Sequence, residues 1–329
     1  MGRDAGVEVA IEGPLDVAGS LEGFRRWGDD LIVRWDGAVL LRTLRDGGES
    51  VAWAVSPRGG ITAPRLRVSV DDPAHLEAAV AAARGLFVTG SAALAALAAH
   101  DPAVAIRESL HPGIRPALEP DLLTALVRAI SAQQVNLRWA ATTRARLARA
   151  TGIVHSVGGR EVWALDAARL AETSPAALRE LQLTTRKAEY IVGAAAEVAS
   201  GRLDLEVLSA LPDDEIVARL VAVRGIGHWT AEWVLARTLG RARVVAGDLG
   251  VRKAVGAAYL EGRMPTETEV RRLTAHWGPA ATVAQALLLQ SLVEPAPARP
   301  VLTPRAPGAA RRSPGPPRRA GPPPPRPSP

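Results

Sequence analysis

The 329-residue sequence predicts an α+β protein with three regions: a small antiparallel β-domain over residues 1–72, a mostly α-helical, two-lobed body over 73–294, and a disordered Pro/Arg-rich tail over 295–329. Three observations lead there. Short β-branched segments separated by tight-turn signals fill the first seventy or so residues. From Asp72 the apolar residues fall into a helical period, with Asp, Ser, Thr or Pro at or just before many of the starts. After Glu294 the chain carries no acidic residue and almost nothing to bury.

The strand candidates are Val7–Glu12, Leu31–Trp35, Ala38–Leu44, Val51–Val55 and Leu66–Val70, with a helix around Leu21–Trp27. Asp36-Gly37, Asp46-Gly47-Gly48 and Pro57-Arg58-Gly59-Gly60 supply the turns between them. Helices are expected over Asp72–Ala83, Ala92–Ala99, Pro102–Leu110, Asp121–Gln133 and Leu137–Ala150. They continue over Lys187–Ser200, Asp213–Val221, His228–Leu239, Leu249–Tyr259, Thr266–His276 and Pro279–Leu292, which makes the body all-α. No internal repeat is visible.

Composition narrows the chemistry. No cysteine is present, which excludes disulfides, thiolate nucleophiles, zinc–cysteine sites and iron–sulfur clusters together. Lys187 and Lys253 are the only lysines. No apolar run reaches the ~18 residues of a membrane span, and the opening Met1-Gly2-Arg3-Asp4-Ala5 lacks a signal-peptide core, so a cytoplasmic, nucleoid-associated location is expected. The net charge is +6, but seven arginines lie after Glu294; without them the body carries about −1. Any polyanion-binding face on the body is therefore a local patch, and the tail is either a solvated segment or a non-specific phosphate tether. No surface stripe argues for assembly, so a monomer is expected.

Two segments carry the function. In Arg224-Gly225-Ile226-Gly227-His228-Trp229-Thr230-Ala231-Glu232-Trp233 one helix ends in Gly-Ile-Gly and another begins at once. The glycines permit a tight reversal, and Ile226 can plug between the helices. The second helix then offers bare N–H groups at its positive end, a site for a DNA phosphate. An ordinary αα-corner with a glycine linker has the same pattern. About twenty residues on, Asp248-Leu249-Gly250 follows an apolar run and opens a helix; alone, Asp248 reads equally as an N-cap.

Jointly these segments resemble the helix–hairpin–helix, Gly/Pro-rich loop, aspartate (HhH-GPD) superfamily of base-excision DNA glycosylases, and within it the bacterial 3-methyladenine DNA glycosylase II type. Ala129-Ile130-Ser131-Ala132-Gln133-Gln134-Val135 and Leu183-Thr184-Thr185-Arg186-Lys187-Ala188-Glu189-Tyr190-Ile191 resemble two further family segments, and the likeness runs from about residue 66 to 293. The resemblance implies a DNA-repair hydrolase acting on alkylation damage in double-stranded DNA. In this role Asp248 is the catalytic carboxylate, Trp229 and Trp233 wall the base pocket, and Gln134 fills the gap left by a flipped base. Gly225, Ile226, Gly227, His228, Thr230, Arg186 and Lys187 then contact DNA.

No cofactor is implied, and a monovalent cation is implied on the carbonyls of Val221, Val223 and Ile226. Core packing is the competing role for both tryptophans. Arg138, Arg144 and Arg146 cluster near the Gln134 loop, as solvated charges or phosphate contacts. Where the lyase-capable branch has a nucleophilic lysine, two residues after the second hairpin glycine, this sequence has Trp229, which implies a monofunctional enzyme.

Two departures leave the substrate open: the stretch from Trp229 to Asp248 is one residue short of the family pattern, and Ser291 stands near the place of a pocket tryptophan. A non-catalytic helix–hairpin–helix DNA-binding or damage-sensing protein is the alternative, and a glycosylase for oxidised or mismatched bases a third reading.

Overall fold

A computed structural model describes residues 5–293; the tail lies outside the described residues. The chain opens with β1 (Ala5–Ala10), α1 (Val17–Arg26), β2 (Arg34–Trp35), β3 (Leu40–Asp46), β4 (Glu49–Gly60) and β5 (Ala63–Val70). The five strands form one antiparallel sheet in the order β1-β5-β4-β3-β2. Alternation sets its buried face: Leu40, Trp53, Val55, Leu66, Val68 and Val70 point into a core with Leu21 of α1.

Two expectations change here. Pro57–Gly60 lies inside β4, paired with Ala63–Leu66, and the turn falls at Ile61-Thr62. Within Leu31–Trp35 only the last two residues are strand. Leu31 has φ +68°, and the Asp30 carboxylate accepts the N–H groups of Ile32 and Val33, so side-chain capping replaces ladder pairing.

The body continues through α2 (Leu76–Arg84), α3 (Ser91–Ala98), α4 (Pro102–Leu110), α5 (Leu122–Ala132) and α6 (Leu137–Thr151). An unexpected hairpin follows, β6 (Gly152–Val157) and β7 (Arg160–Leu165), turning on Gly158-Gly159, both at positive φ. It packs Val157 and Val162 against Leu41 and Ala52 of the sheet, so the body is mostly helical rather than all-α. Then come α7 (Ala167–Glu172), α8 (Pro175–Glu180), α9 (Thr185–Ala199), α10 (Leu205–Ser209), α11 (Asp213–Val221), α12 (His228–Arg237), α13 (Leu249–Tyr259), α14 (Glu267–Thr274) and α15 (Ala281–Gln290). No helix among the described residues is long and apolar enough to cross a membrane.

These helices bury two separate cores, and the boundary between them positions the site. One core takes Leu126 and Ile130 of α5, Ile191 of α9, Leu220 of α11 and Ala231, Val234 and Leu235 of α12. The other takes Leu94, Val104, Val251 and Val255 of α13, Val270, Trp277 and Leu287. Thus α12 belongs to one lobe and α13 to the other.

Buried charge ties the sheet to the first lobe. Asp30, 2% exposed, accepts Arg144 Nε at 2.8 Å and is also bonded by Arg128. Burial alone would raise the Asp30 pKa, but the two guanidiniums hold it below its ordinary value. Arg144 is therefore an interior anchor, not a surface charge near the Gln134 loop; burial brings its pKa down to about 10.

Candidate active site

The hairpin between α11 and α12 is fixed by its own backbone. Val223 N–H donates to the Leu220 carbonyl and Ile226 N–H to the Val223 carbonyl, while Ile226 is buried in the first lobe. Gly225 adopts φ +93°, and a Cβ there would sit 2.1 Å from the Tyr190 ring, so this position needs glycine twice over. Gly227 is the N-cap of α12 and no side chain caps that end. The first intrahelical bond runs from Ala231 N–H to the Gly227 carbonyl, so the N–H groups of His228, Trp229 and Thr230 have no partner within the helix.

One helical turn carries the hairpin to the acid. Trp229 Nε1 donates to Asp248 Oδ2 at 2.9 Å, across the boundary between the lobes. The other oxygen, Oδ1, accepts Val251 N–H at 3.0 Å, so Asp248 is also the N-cap of α13. The N-cap reading of Asp248 is thus met, and its second oxygen is bonded to the helix that follows the hairpin. Each carboxylate oxygen has an N–H donor, which fixes the carboxylate plane while it remains partly open to solvent.

Trp229 and Trp233 are half-buried and meet edge to face, with centroids 6.5 Å apart. Arg237 covers Trp233 at 5.9 Å and donates to the Ala117 carbonyl; burial lowers its pKa to about 10. Trp233 is thereby held between two neighbours, and Trp229 is the tryptophan that touches the acid.

Residues that the sequence did not single out hold the loop before Asp248. On α15, Gln285 Oε1 accepts Val245 N–H at 2.7 Å. Thr282 Oγ1 accepts Arg243 N–H at 3.0 Å and donates to the Arg241 carbonyl at 2.6 Å. Both side chains are buried. The Val245 carbonyl then accepts Asp248 N–H, which carries the clamp to the acid. Glu232, buried on α12, pairs with Arg271 at 2.8 Å and lies 3.5 Å from Arg243. Gly250 leaves room for a close approach: a Cβ there would lie 3.0 Å from Asp248 Oδ1 and 3.2 Å from Leu289. Gln285 had a signal in the sequence, being the lone polar residue in the apolar run Val283–Leu289.

The remaining candidates sort by exposure. Gln134 is exposed with φ +56°, at the tip of the α5–α6 loop, and neighbouring Gln133 reaches the Gly225 carbonyl at 3.5 Å. His228 and Arg186 are exposed. The Thr230 side chain is only 1% exposed and packs in the interior. Lys187 Nζ donates to the Ser131 carbonyl at 2.9 Å, joining α9 to the end of α5, and burial lowers its pKa. The Val223 carbonyl of the expected cation site already accepts one N–H; a second lone pair remains. Two clefts of about 440 and 360 Å³ lie elsewhere, beside Glu189 and Arg219 and beside Thr43 and Asp166, and neither includes Asp248 or the tryptophans. No cluster of three His, Cys, Asp or Glu side chains suited to a metal occurs among the described residues.

Residues 127–280 match the sequence profile of the HhH-GPD superfamily of base excision DNA repair proteins. That segment, just under half of the chain, is what is similar to this superfamily. The matched segment takes in the Gln134 loop, the hairpin and Asp248. A DNA-3-methyladenine glycosylase of Bacillus subtilis (strain 168) is 30% identical over 183 residues, 55% of this chain and 60% of that one. A DNA-3-methyladenine glycosylase 1 of Schizosaccharomyces pombe is 28% identical over 109 residues, 32% of this chain and 48% of that one. This chain thus spans about half to three fifths of those relatives. Among solved structures, the 3-methyladenine DNA-glycosylase of Archaeoglobus fulgidus superposes with a TM-score of 0.76 at 22% identity, covering 88% of this chain and all of that one. At that identity the likeness establishes the fold alone.

Proposed function

We propose that this chain is a monofunctional DNA glycosylase that hydrolyses the N-glycosidic bond of alkylated purines of the 3-methyladenine type, flipped out of duplex DNA in base excision repair. One observation carries the reading: the Asp248 carboxylate, fixed through both oxygens, is bonded to a half-buried tryptophan on the helix that follows the hairpin. The named relatives support the substrate class.

In this mechanism the amides of His228, Trp229 and Thr230 take a phosphate of the lesion strand at the positive end of α12. Gln134 fills the gap in the stack, Arg186 adds charge to the backbone contact, and the Trp229 ring walls the extruded base. Lys187, tied to Ser131, supports the loop that presents Gln134. As the C1′–N bond breaks, its electron pair leaves with the base and positive charge grows on the sugar. Asp248 offsets that charge, and water adds to C1′ and gives up a proton to the Asp248 carboxylate. An alkylated purine is already cationic, so it leaves as a neutral base. The three neutral carbonyls of Val221, Val223 and Ile226 suit a monovalent cation, which would stiffen the hairpin. The protein acts as a monomer on double-stranded DNA.

A lyase route needs an amine nucleophile. Trp229 occupies the family's lysine position, Lys187 is bonded to a carbonyl, and Lys253 is exposed on α13. The test is release of free base from duplexes carrying 3-methyladenine or 7-methylguanine, with strand breaks scored before and after alkali. Base release with breaks only after alkali is expected. Breaks without alkali overturn the monofunctional assignment, and binding without release favours a damage-sensing protein.

A further inference from the structure

The α5–α6 loop and the first turn of α6 expose side chains that a folded core would ordinarily take in. Val135 is 37% exposed, Leu137 42% and Trp139 39%, all within five residues and next to the exposed Gln134. The Trp139 ring is not loose. Arg146, one side of which covers the ring at 5.4 Å, is itself bonded to the Gln182 side chain in the turn before α9. An apolar cluster left open and pre-ordered marks a contact surface.

Charge identifies what it contacts. From residue 122 to residue 160 the sequence holds six arginines and no carboxylate. Arg128 and Arg144 are engaged with Asp30 in the interior, while Arg138 and Arg149 are exposed. Basic residues interleaved with an exposed aromatic ring fit a nucleic-acid strand whose bases are unstacked. The loop also touches the hairpin through Gln133, so this surface continues the face assigned above to the duplex.

Resting on that reading, we propose that Trp139 is a stacking platform for the base on the complementary strand that loses its partner when the lesion is extruded, with Arg146 holding the ring in place. Every base has a π-face, whereas hydrogen-bond readout distinguishes them. The enzyme therefore accepts its lesion opposite any of the four bases.

The probe is a duplex with a tetrahydrofuran abasic analogue placed opposite 2-aminopurine, bound by the full chain. Wild type and Trp139→Phe are expected to keep 2-aminopurine emission quenched. Trp139→Ala and Trp139→Leu are expected to raise it severalfold and to weaken binding about tenfold. Base release is expected to vary by less than about threefold with the opposing base, since stacking is sequence-tolerant. If Trp139→Leu quenches like wild type, or Trp139→Ala changes neither emission nor affinity, the platform is overturned while the role of Asp248 stands. If wild type prefers the abasic duplex no more than an undamaged one, the glycosylase reading fails and this inference fails with it.

Discussion

Replacing Asp248 by asparagine removes charge from the site while keeping a good N-cap. Asn and Asp are equivalent at N-caps, whereas Ala costs about 1 kcal/mol. The structure adds a constraint: the carboxylate accepts from Trp229 Nε1 on one oxygen and from Val251 N–H on the other. Asparagine has one acceptor oxygen, so it retains only one of the two. If it caps α13, its amide group faces the indole N–H, and the Trp229 ring must give. Stability then changes little, and chemistry changes greatly. A carboxylate roughly 4 Å from the developing sugar charge, at an effective dielectric constant of about 20, is worth about 4 kcal/mol. Its loss corresponds to a rate about a thousandfold lower. The assay is single-turnover release of 7-methylguanine with enzyme in excess, alongside the melting temperature and the affinity for an abasic duplex. A mutant that folds, binds and still releases base at more than a tenth of the wild-type rate would refute the electrostatic role.

Four further outcomes follow from the same contacts. Trp229→Phe keeps an aromatic wall but deletes the donor to Asp248; losing one charge-assisted hydrogen bond, about 1.5–3 kcal/mol at full value, is expected to slow base release by at least tenfold in single-turnover kinetics. Gly225→Ala pushes a Cβ into Tyr190 at a positive-φ position, so DNA affinity is expected to collapse. The double variant with Tyr190→Ala recovers only part of it, because the left-handed strain of about 1 kcal/mol persists, and filter binding distinguishes the two. Gln285→Leu leaves the buried Val245 N–H without its acceptor, for a cost of about 1–3 kcal/mol; the melting temperature falls by several degrees and base release falls further than stability alone explains. His75 Nδ1 donates to Asp46 Oδ2 at 2.8 Å, and this hydrogen bond raises the imidazole pKa above 6.5. A raised folded-state value means the stabilisation is complete below about pH 6.5 and fades as pH rises through the folded pKa. His75→Gln is therefore expected to lower denaturant stability at acid pH and flatten its slope above it.

Periodicity made most of the longer helices legible, because each presents an apolar stripe of two turns or more. Helices α7, α8 and α10 have five or six residues, too few to show a period. The β6–β7 hairpin did have a signal, a Gly-Gly pair between alternating segments, masked by the helical context around it. Pro57–Gly60 shows the reverse error: turn-rich composition continued a ladder, since these residues lie near the hairpin end where pairing tolerates them. At the site, Asp248, Trp229 and the hairpin were visible because their spacing is local. Arg144 was misjudged as a surface charge because burial is a tertiary property; its partner is Asp30, 114 residues away.

The contact between Trp229 and Asp248 links these two kinds of information. Sequence spacing alone treats the absence of a lysine at position 229 as a deletion of chemistry. In the fold, that position has a different use: its indole N–H orients the carboxylate, and its half-buried ring meets Trp233 edge to face. An amine at the same place would sit beside the Asp248 oxygen as a cation, partly neutralising the charge meant for the sugar. Tryptophan donates one hydrogen bond while leaving that negative charge in place. In the proposed mechanism the carboxylate therefore acts without a covalent nucleophile beside it. Catalysis by electrostatics alone suits substrates that supply their own leaving-group activation, as a cationic alkylpurine does, and is poorly matched to a neutral oxidised base. The tryptophan thus argues for alkylation damage from inside the site, independently of the names of its relatives.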